Sequence, residues 1–255
     1  MPVISIAIQK GGSGKTTTAI NLGAALARAG KRVLLVDADP QANLSQSLGL
    51  EDEPVFNLYT ELKKEIQESS GDLVKAVVTT RSGMDVVPAS IDLAVVELEM
   101  AGMIGREQLL SWLLKPLIPA YDYILIDCPH AIGMLTVNAL LASDYVLIPL
   151  PGEFLPLKGV YSFMRQFDMI QKKLNPKLQL LGLVMTRFDE RKVMNVGVKK
   201  QLEEKFEGKV FRTVIRTNMQ LAKAQEAGMD IFSFDGSANG AKDYRDLAEE
   251  LIQKT

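Results

Sequence analysis

The chain has 255 residues, 47% of them hydrophobic, and a formal net charge of −2. That length suits one α/β domain around a large buried core, so residues 1–255 are expected to fold as a single unit. The charge balance excludes a protein that binds nucleic acid through overall positive charge, and the single cysteine, Cys128, excludes an internal disulfide framework or a four-cysteine metal site. A reducing cytoplasm fits. No apolar run approaches the ~20 residues of a membrane span. The opening residues run straight into a glycine loop, too early for a signal peptide.

In chain order, Val3–Ile8, Val33–Val36, Met84–Val87, Tyr123–Ile126, Tyr145–Ile148 and Leu180–Met185 read as strands. They are continuous rather than alternating apolar runs, as a sheet covered on both faces requires. Helical patterns separate them: Lys15–Ala29, Leu58–Glu68, Ile91–Met103, Arg106–Leu114, Met134–Leu141, Leu157–Leu174, Val196–Phe206 and a charged last helix near Ala241–Lys254. This alternation predicts an α/β fold, a doubly wound and mostly parallel sheet with helices on both faces and right-handed crossovers. Ligands then bind at the carboxyl ends of the strands. The polar segment Glu51–Gly83 carries no legible role.

The first strand is followed by Lys10-Gly11-Gly12-Ser13-Gly14-Lys15-Thr16-Thr17, which opens the first helix. Strand, glycine loop, lysine, threonine and helix in that order make a phosphate loop. The glycines let backbone amides wrap phosphate oxygens, and the helix start adds partial positive charge. Lys15 is the candidate contact to the β- and γ-phosphates, and the Thr16 hydroxyl the candidate Mg²⁺ ligand. Gln9 stands where such loops usually carry their first glycine.

The second strand ends in Asp37-Ala38-Asp39-Pro40-Gln41-Ala42-Asn43. Two carboxylates at a strand's carboxyl end face the expected phosphates. Asp39 would orient a water for in-line attack, and Asp37 would join the Mg²⁺ shell. The apolar run through Ile126 ends in Asp127-Cys128-Pro129-His130, where Asp127 would hold Mg²⁺. His130 reads as a tolerated loop residue and Cys128 as a small packing residue.

Together these motifs resemble the ParA/MinD family of P-loop ATPases, whose deviant Walker A loop is K-G-G-x-G-K-[ST] and whose second motif is D-x-D-P-Q-[GA]-N. His130 replaces the second proline of the family's D-x-P-P. Further stretches resemble ParA proteins of the chromosomal and small-plasmid type: Leu135–Leu140, Pro149–Phe154, Leu174–Pro176, Thr186–Arg191 and Gly240–Tyr244. The resemblance implies ATP and Mg²⁺ as ligands and an ATP-bound homodimer. In it, Lys10 would reach across to the partner's phosphates. It also implies binding to non-specific DNA, a ParB-like activating protein, a place on the nucleoid rather than a membrane, and movement of plasmids, chromosomes or other cargo. Gly11, Gly12, Ser13, Gly14, Lys15, Thr16, Thr17, Arg187 and Asn218 would bind nucleotide. The family's V-I-P-R-N reads Val214-Ile215-Arg216-Thr217-Asn218 here, so the proline is lost and the arginine shifted.

Charge is uneven along the chain. Residues 158–223 hold 15 Lys/Arg against 6 Asp/Glu, a net of +9. These are either solvated helix faces or a local DNA patch. On the second reading Lys172, Lys173, Arg191, Lys192, Lys199, Lys200, Arg216 and Lys223 are the candidate contacts. The loop at residue 11 leaves no room before it for a helix-turn-helix. Three rivals share the loop. A MinD-like membrane-positioning ATPase would need a basic, bulky amphipathic tail helix, whereas Tyr244–Thr255 is acidic. A nitrogenase-iron-protein-type reductase would need two cluster cysteines. A regulator using nucleotide only as a switch for a protein partner would not need Asp39.

Overall fold

The computed structural model describes residues 1–50, 54–152 and 156–255, with the backbone alone for Pro156–Lys158. Glu51–Glu53 of the polar segment and Glu153-Phe154 of the ParA-like stretch lie outside the described residues.

Strand β1 (Val3–Ile6) feeds α1 (Lys15–Arg28), then β2 (Val33–Asp37) and the short α2 (Asn43–Ser47). Helix α3 (Leu58–Glu68) precedes β3 (Val78–Thr79) and β4 (Asp85–Val87), and α4 (Leu93–Glu99) and α5 (Leu109–Leu114) lead to β5 (Tyr123–Asp127). Helix α6 (Met134–Ala142), β6 (Tyr145–Pro151), α7 (Pro156–Lys173), β7 (Gln179–Phe188), α8 (Val193–Lys205) and β8 (Val210–Arg216) continue the alternation. Helices α9 (Met219–Glu226), α10 (Ile231–Asp235) and α11 (Asn239–Lys254) close the described chain.

The strand order is β3-β4-β2-β5-β1-β6-β7-β8. Among the described residues only the pairing of β3 with β4 is antiparallel; every other pairing is parallel. The doubly wound expectation therefore holds. Successive residues of one strand serve opposite cores, which is why the strand sequences do not alternate in polarity. Leu34, Val36, Ile124 and Ile126 belong to the core under α3 to α7, whereas Val33, Leu35, Tyr123 and Leu125 belong to the core under α1 and α9 to α11. Burial of these strands on both faces is the main stabilising term of the fold.

Two registers set the site. Asp127 lies opposite Ile6 on one side and Asp37 on the other, so the phosphate loop and both carboxylates emerge side by side. The central strands extend close to their expected bounds. Strand β8 was not legible as an apolar run, because Arg212 and Thr213 interrupt it; it is an edge strand, paired with β7 alone. Its outer neighbour is α11, whose buried Glu250 accepts the backbone amides of Arg212 and Thr213 at 3.0 Å each and the Thr213 hydroxyl at 2.9 Å. That carboxylate satisfies amides an exposed edge would leave open. Among the described residues no helix is long and apolar enough to cross a membrane.

Candidate nucleotide site

The phosphate loop needs two backbone conformations that a side chain would strain. Gly12 sits at φ +67° and Gly14 at φ +89°, and Gly14 forms the N-cap of α1. A Cβ on Gly14 would also meet Thr186 at 3.5 Å. Thr186 donates its hydroxyl to the Ser13 carbonyl at 2.8 Å, which fixes the loop to β7. Lys15 is only 7% exposed, and its ammonium donates to the Lys10 carbonyl at 3.4 Å. This lysine therefore rests against its own loop.

Thr16 donates to Asp127 Oδ2 at 2.7 Å, while Asp127 Oδ1 is buried without a hydrogen-bond partner among the described residues. Burial, and then the neighbouring Asp37 carboxylate, push the Asp127 carboxyl up to about 8. Asp37, also fully buried, is pushed up to about 6, chiefly by desolvation and against hydrogen bonds from Ser45 and Asp39. An orphaned, buried carboxylate oxygen beside a threonine hydroxyl fits a divalent cation. Among the described residues no group of three or more His, Cys, Asp or Glu is clustered as a metal cage. Few protein oxygens plus substrate phosphates is the ordinary way to hold Mg²⁺.

Asp39, 9% exposed, reaches the surface of the cleft and accepts the Gln41 amide on Oδ1 at 3.0 Å. The cleft has a volume of about 600 Å³. It is lined by all of Gly11–Thr17, by Asp39 and Arg187, and by His130, which is exposed at its rim. Arg187 has φ +47°, a left-handed conformation for a branched-chain-sized residue, and its guanidinium donates to the Gly12 carbonyl. Such a conformation costs on the order of 1 kcal/mol and persists where surrounding contacts impose it. A second hollow of about 330 Å³ adjoins the cleft and is lined by Thr17, Ile215, Arg216, Asn218, Leu221 and Tyr244, among others. Asn218 caps α9, accepting the Gln220 amide at 2.8 Å, so its carboxamide NH₂ remains as the group with no part in the cap.

The structure thus brings together the loop, Lys15, Thr16, Asp39, Asp127 and Arg187, and sets Asn218 beside them. Two expected residues stand apart. The Asp37 carboxylate does not line the cleft, and neither does Lys10, which is half-buried at the loop's entry. Residues without an expected role also appear. Gln225 of α9 accepts from the Thr17 hydroxyl at 3.1 Å and donates to Ser47 at 3.2 Å, bridging α1 to α2. A single glutamine on an amphipathic helix gives no sequence signal. Gln41 and Asn43 belong to the second motif, and Gln46 and Ser47 continue the polar run after it; all four line the cleft.

The basic candidates divide between the two edges of the sheet. Arg191 and Lys192 follow β7, Arg216 ends β8 and Lys223 lies on α9, all near the carboxyl edge. Lys172 and Lys173 end α7 near the amino edge, and Lys199 and Lys200 lie midway along α8. Arg216 is clamped by Asp243, with Nη2–Oδ1 at 2.6 Å, and Arg191 by Asp189 at 3.0 Å. Lys199 lies 3.7 Å from Glu203.

A family model described as an AAA domain matches residues 1–180. The chain is 42% identical over 249 residues to the sporulation initiation inhibitor protein Soj of Bacillus subtilis, covering 98% of this chain and 97% of the relative. It is 40% identical over 260 residues to the chromosome partitioning protein ParA of Caulobacter vibrioides, covering 99% and 94%. The chain belongs to the ParA family of ATPases. Among solved structures it resembles one from Mycobacterium smegmatis described as cobyrinic acid a,c-diamide synthase with bound ADP and magnesium. The TM-score is 0.84 at 35% identity, covering 99% of this chain and 94% of that one. An adenine nucleotide with Mg²⁺, expected from the loop, agrees with the ADP and magnesium of that neighbour and with the family's ATPase chemistry.

Proposed function

We propose that this chain is a partition ATPase. It binds Mg·ATP in the cleft, dimerises with nucleotide at the interface, rides non-specific DNA of the nucleoid in the cytoplasm, and is released when a ParB-like partner stimulates hydrolysis. The observation that carries this reading is the convergence of Lys15, Thr16, Asp39 and Asp127 on one cleft, in a chain similar over its whole length to chromosome partitioning proteins. Lys15 and the loop amides would bind the β- and γ-phosphates, and Arg187 would close over them. Thr16 and Asp127 would hold Mg²⁺, which supplies charge neutralisation on the phosphates. Asp39 would orient the attacking water. The second hollow, with Asn218, is sized for the base. Lys10, outside its own cleft, suits a contact to the nucleotide of a second copy.

DNA contact is best supported for Lys172, Lys173, Lys192, Lys200 and Lys223, which are exposed and have no ion pair among the described residues. A membrane-directed MinD-like role is disfavoured by α11, whose apolar Tyr244, Leu247, Ala248 and Leu251 are all spent in the core.

The test is binding to non-specific duplex DNA with ATP, ADP or no nucleotide across a salt series. Binding with ATP alone, weakening steeply with salt, is expected. Salt-insensitive binding, or none in any nucleotide state, removes DNA as the track.

A further inference from the structure

We infer that Asp37 and Ser45 are positioning residues that clip the Asp37–Ser45 loop shut and thereby hold Asp39 at the cleft. The inference rests on the reading of Asp39 as the residue that orients water. It assigns Asp37 a task other than metal ligation.

Asp37 and Asp127 are paired across β2 and β5 yet differ in what they touch. Asp127 gives one oxygen to Thr16 and has the other unpartnered among the described residues. Asp37 has both oxygens engaged: Oδ1 accepts the Asp39 amide at 3.2 Å, and Oδ2 accepts the Ser45 amide at 2.9 Å and the Ser45 hydroxyl at 2.7 Å. A carboxylate offers about four acceptor positions, and three are filled from within this one loop. The carboxylate left open toward a cation is Asp127. The one turned into protein is Asp37, which has no exposed surface.

The consequence for Asp39 is geometric. The chain leaves β2 at Asp37, passes Asp39, turns through Ala42 at φ +52°, and returns in α2 to Ser45. Asp37 ties the two ends of that excursion, and it also grips the Asp39 backbone directly. The Ser45 hydroxyl accepts the Ala89 amide at 3.0 Å, so its own proton is free to go to Asp37. One hydroxyl therefore couples the Asp39 loop to the chain leaving β4. The hydrogen bond that the Asp39 carboxylate accepts, from the Gln41 amide, lies within this same loop, so the clip that fixes the loop bears on where that carboxylate sits.

The experiment measures ATP turnover, nucleotide affinity and magnesium dependence for the full chain carrying Ser45→Ala, Ser45→Thr or Asp37→Asn. Ser45→Ala removes both hydroxyl bonds, Ser45→Thr keeps a hydroxyl, and Asp37→Asn places an amide where two donors point. Ser45→Ala and Asp37→Asn are expected to lower kcat by about tenfold or more, with nucleotide affinity and the magnesium concentration for half-maximal rate within about threefold of the parent. Ser45→Thr should recover most of the rate. A rise of about tenfold in the magnesium requirement of Asp37→Asn would make it a metal ligand and overturn the assignment. Parental kcat in Ser45→Ala would overturn the clip. Hydrogen exchange of the nucleotide-free chain decides the clip without reference to turnover. The 38–46 segment and Ala89 should exchange faster in Ser45→Ala than in the parent or Ser45→Thr; equal exchange removes the clip. If the parent itself fails to hydrolyse ATP, the ATPase role of Asp39 falls while the exchange result still decides the clip.

Discussion

Asp127 and Asp37 are buried next to each other, and Lys15, which weakly favours the charged form of Asp127, rests on its own loop. Desolvation then dominates and the proton stays on. The folded-state value for Asp127, about 8, lies above its ordinary 3.8, so the folded state holds a proton that the unfolded chain has already released. Stability must therefore fall as pH rises between those values. Asp37, raised to about 6, contributes only to the lower part of that window. From about pH 6 to about pH 8 the nucleotide-free protein should lose a few degrees of melting temperature that Asp127→Asn does not lose. Thermal melts of both proteins across that range check it; parallel slopes would mean that Asp127 is ionised in the free protein. Asp39 differs in reaching the cleft surface. Replacing it by alanine should leave ATP binding near parental and reduce turnover by about a hundredfold or more, as expected of a group needed only in the transition state. Parallel equilibrium binding and single-turnover measurements separate the two effects, and a parental hydrolysis rate would remove Asp39 from the water's position.

Elements divide into those the sequence announces and those it hides. Strands β1, β2 and β5 announce themselves because both faces are buried, so their runs are almost wholly apolar, with Ser5 the exception in β1, and an aspartate ends β2 and β5. The phosphate loop is legible because its glycines, lysine and threonine must follow one another directly. The placement of Asp127 was legible for the same reason: the strand that carries it is unbroken. What stayed hidden depends on distant partners. Strand β8 exists because β7 offers a free edge and α11 offers Glu250, neither of which is visible in Val210–Arg216 itself. Gln225 and Ser45 are ordinary polar residues until the fold sets them against Thr17 and Asp37. The Asp37 expectation rested on its place at the carboxyl end of β2 and on the family motif, and neither shows that Ser45, eight residues on, returns to fill its oxygens. For β8, Glu250→Ala should cost about 2–4 kcal/mol, because two edge amides and a hydroxyl lose a charged acceptor in a place water reaches poorly. Chemical denaturation measures this loss. A change below about 0.5 kcal/mol would mean that β8 is held by β7 and packing alone.

At the scale of the whole molecule, the carboxyl edge of the sheet presents an open cleft rather than an enclosed pocket, and the residues that close it are unevenly supplied. The phosphate loop, Asp39, His130, Arg187, Ala222 and Gln225 all line it. Lys10 begins the loop with its amide turned back onto the Ile8 carbonyl at 2.8 Å, and its side chain stays out of the cleft it introduces. On the proposed reading, a cation there serves a second chain that meets the first across the cleft. A triphosphate between two such faces would draw one lysine from below and one from across, and charge-assisted contacts of this kind are worth about 1.5–3 kcal/mol each. Two symmetric contacts would bias a monomer–dimer equilibrium by about two orders of magnitude or more. With saturating ATP and magnesium, the parent should double in mass by light scattering under conditions that suppress turnover, as in the Asp39→Ala background. Adding Lys10→Ala to that background should leave ATP bound and the mass that of a monomer at the same concentration. Lys15→Ala should lose the nucleotide itself, so the two lysines separate. A dimer that forms undiminished without Lys10 would confine that residue to its own chain, and the cleft would then have to be closed by a group other than a lysine from the opposite subunit.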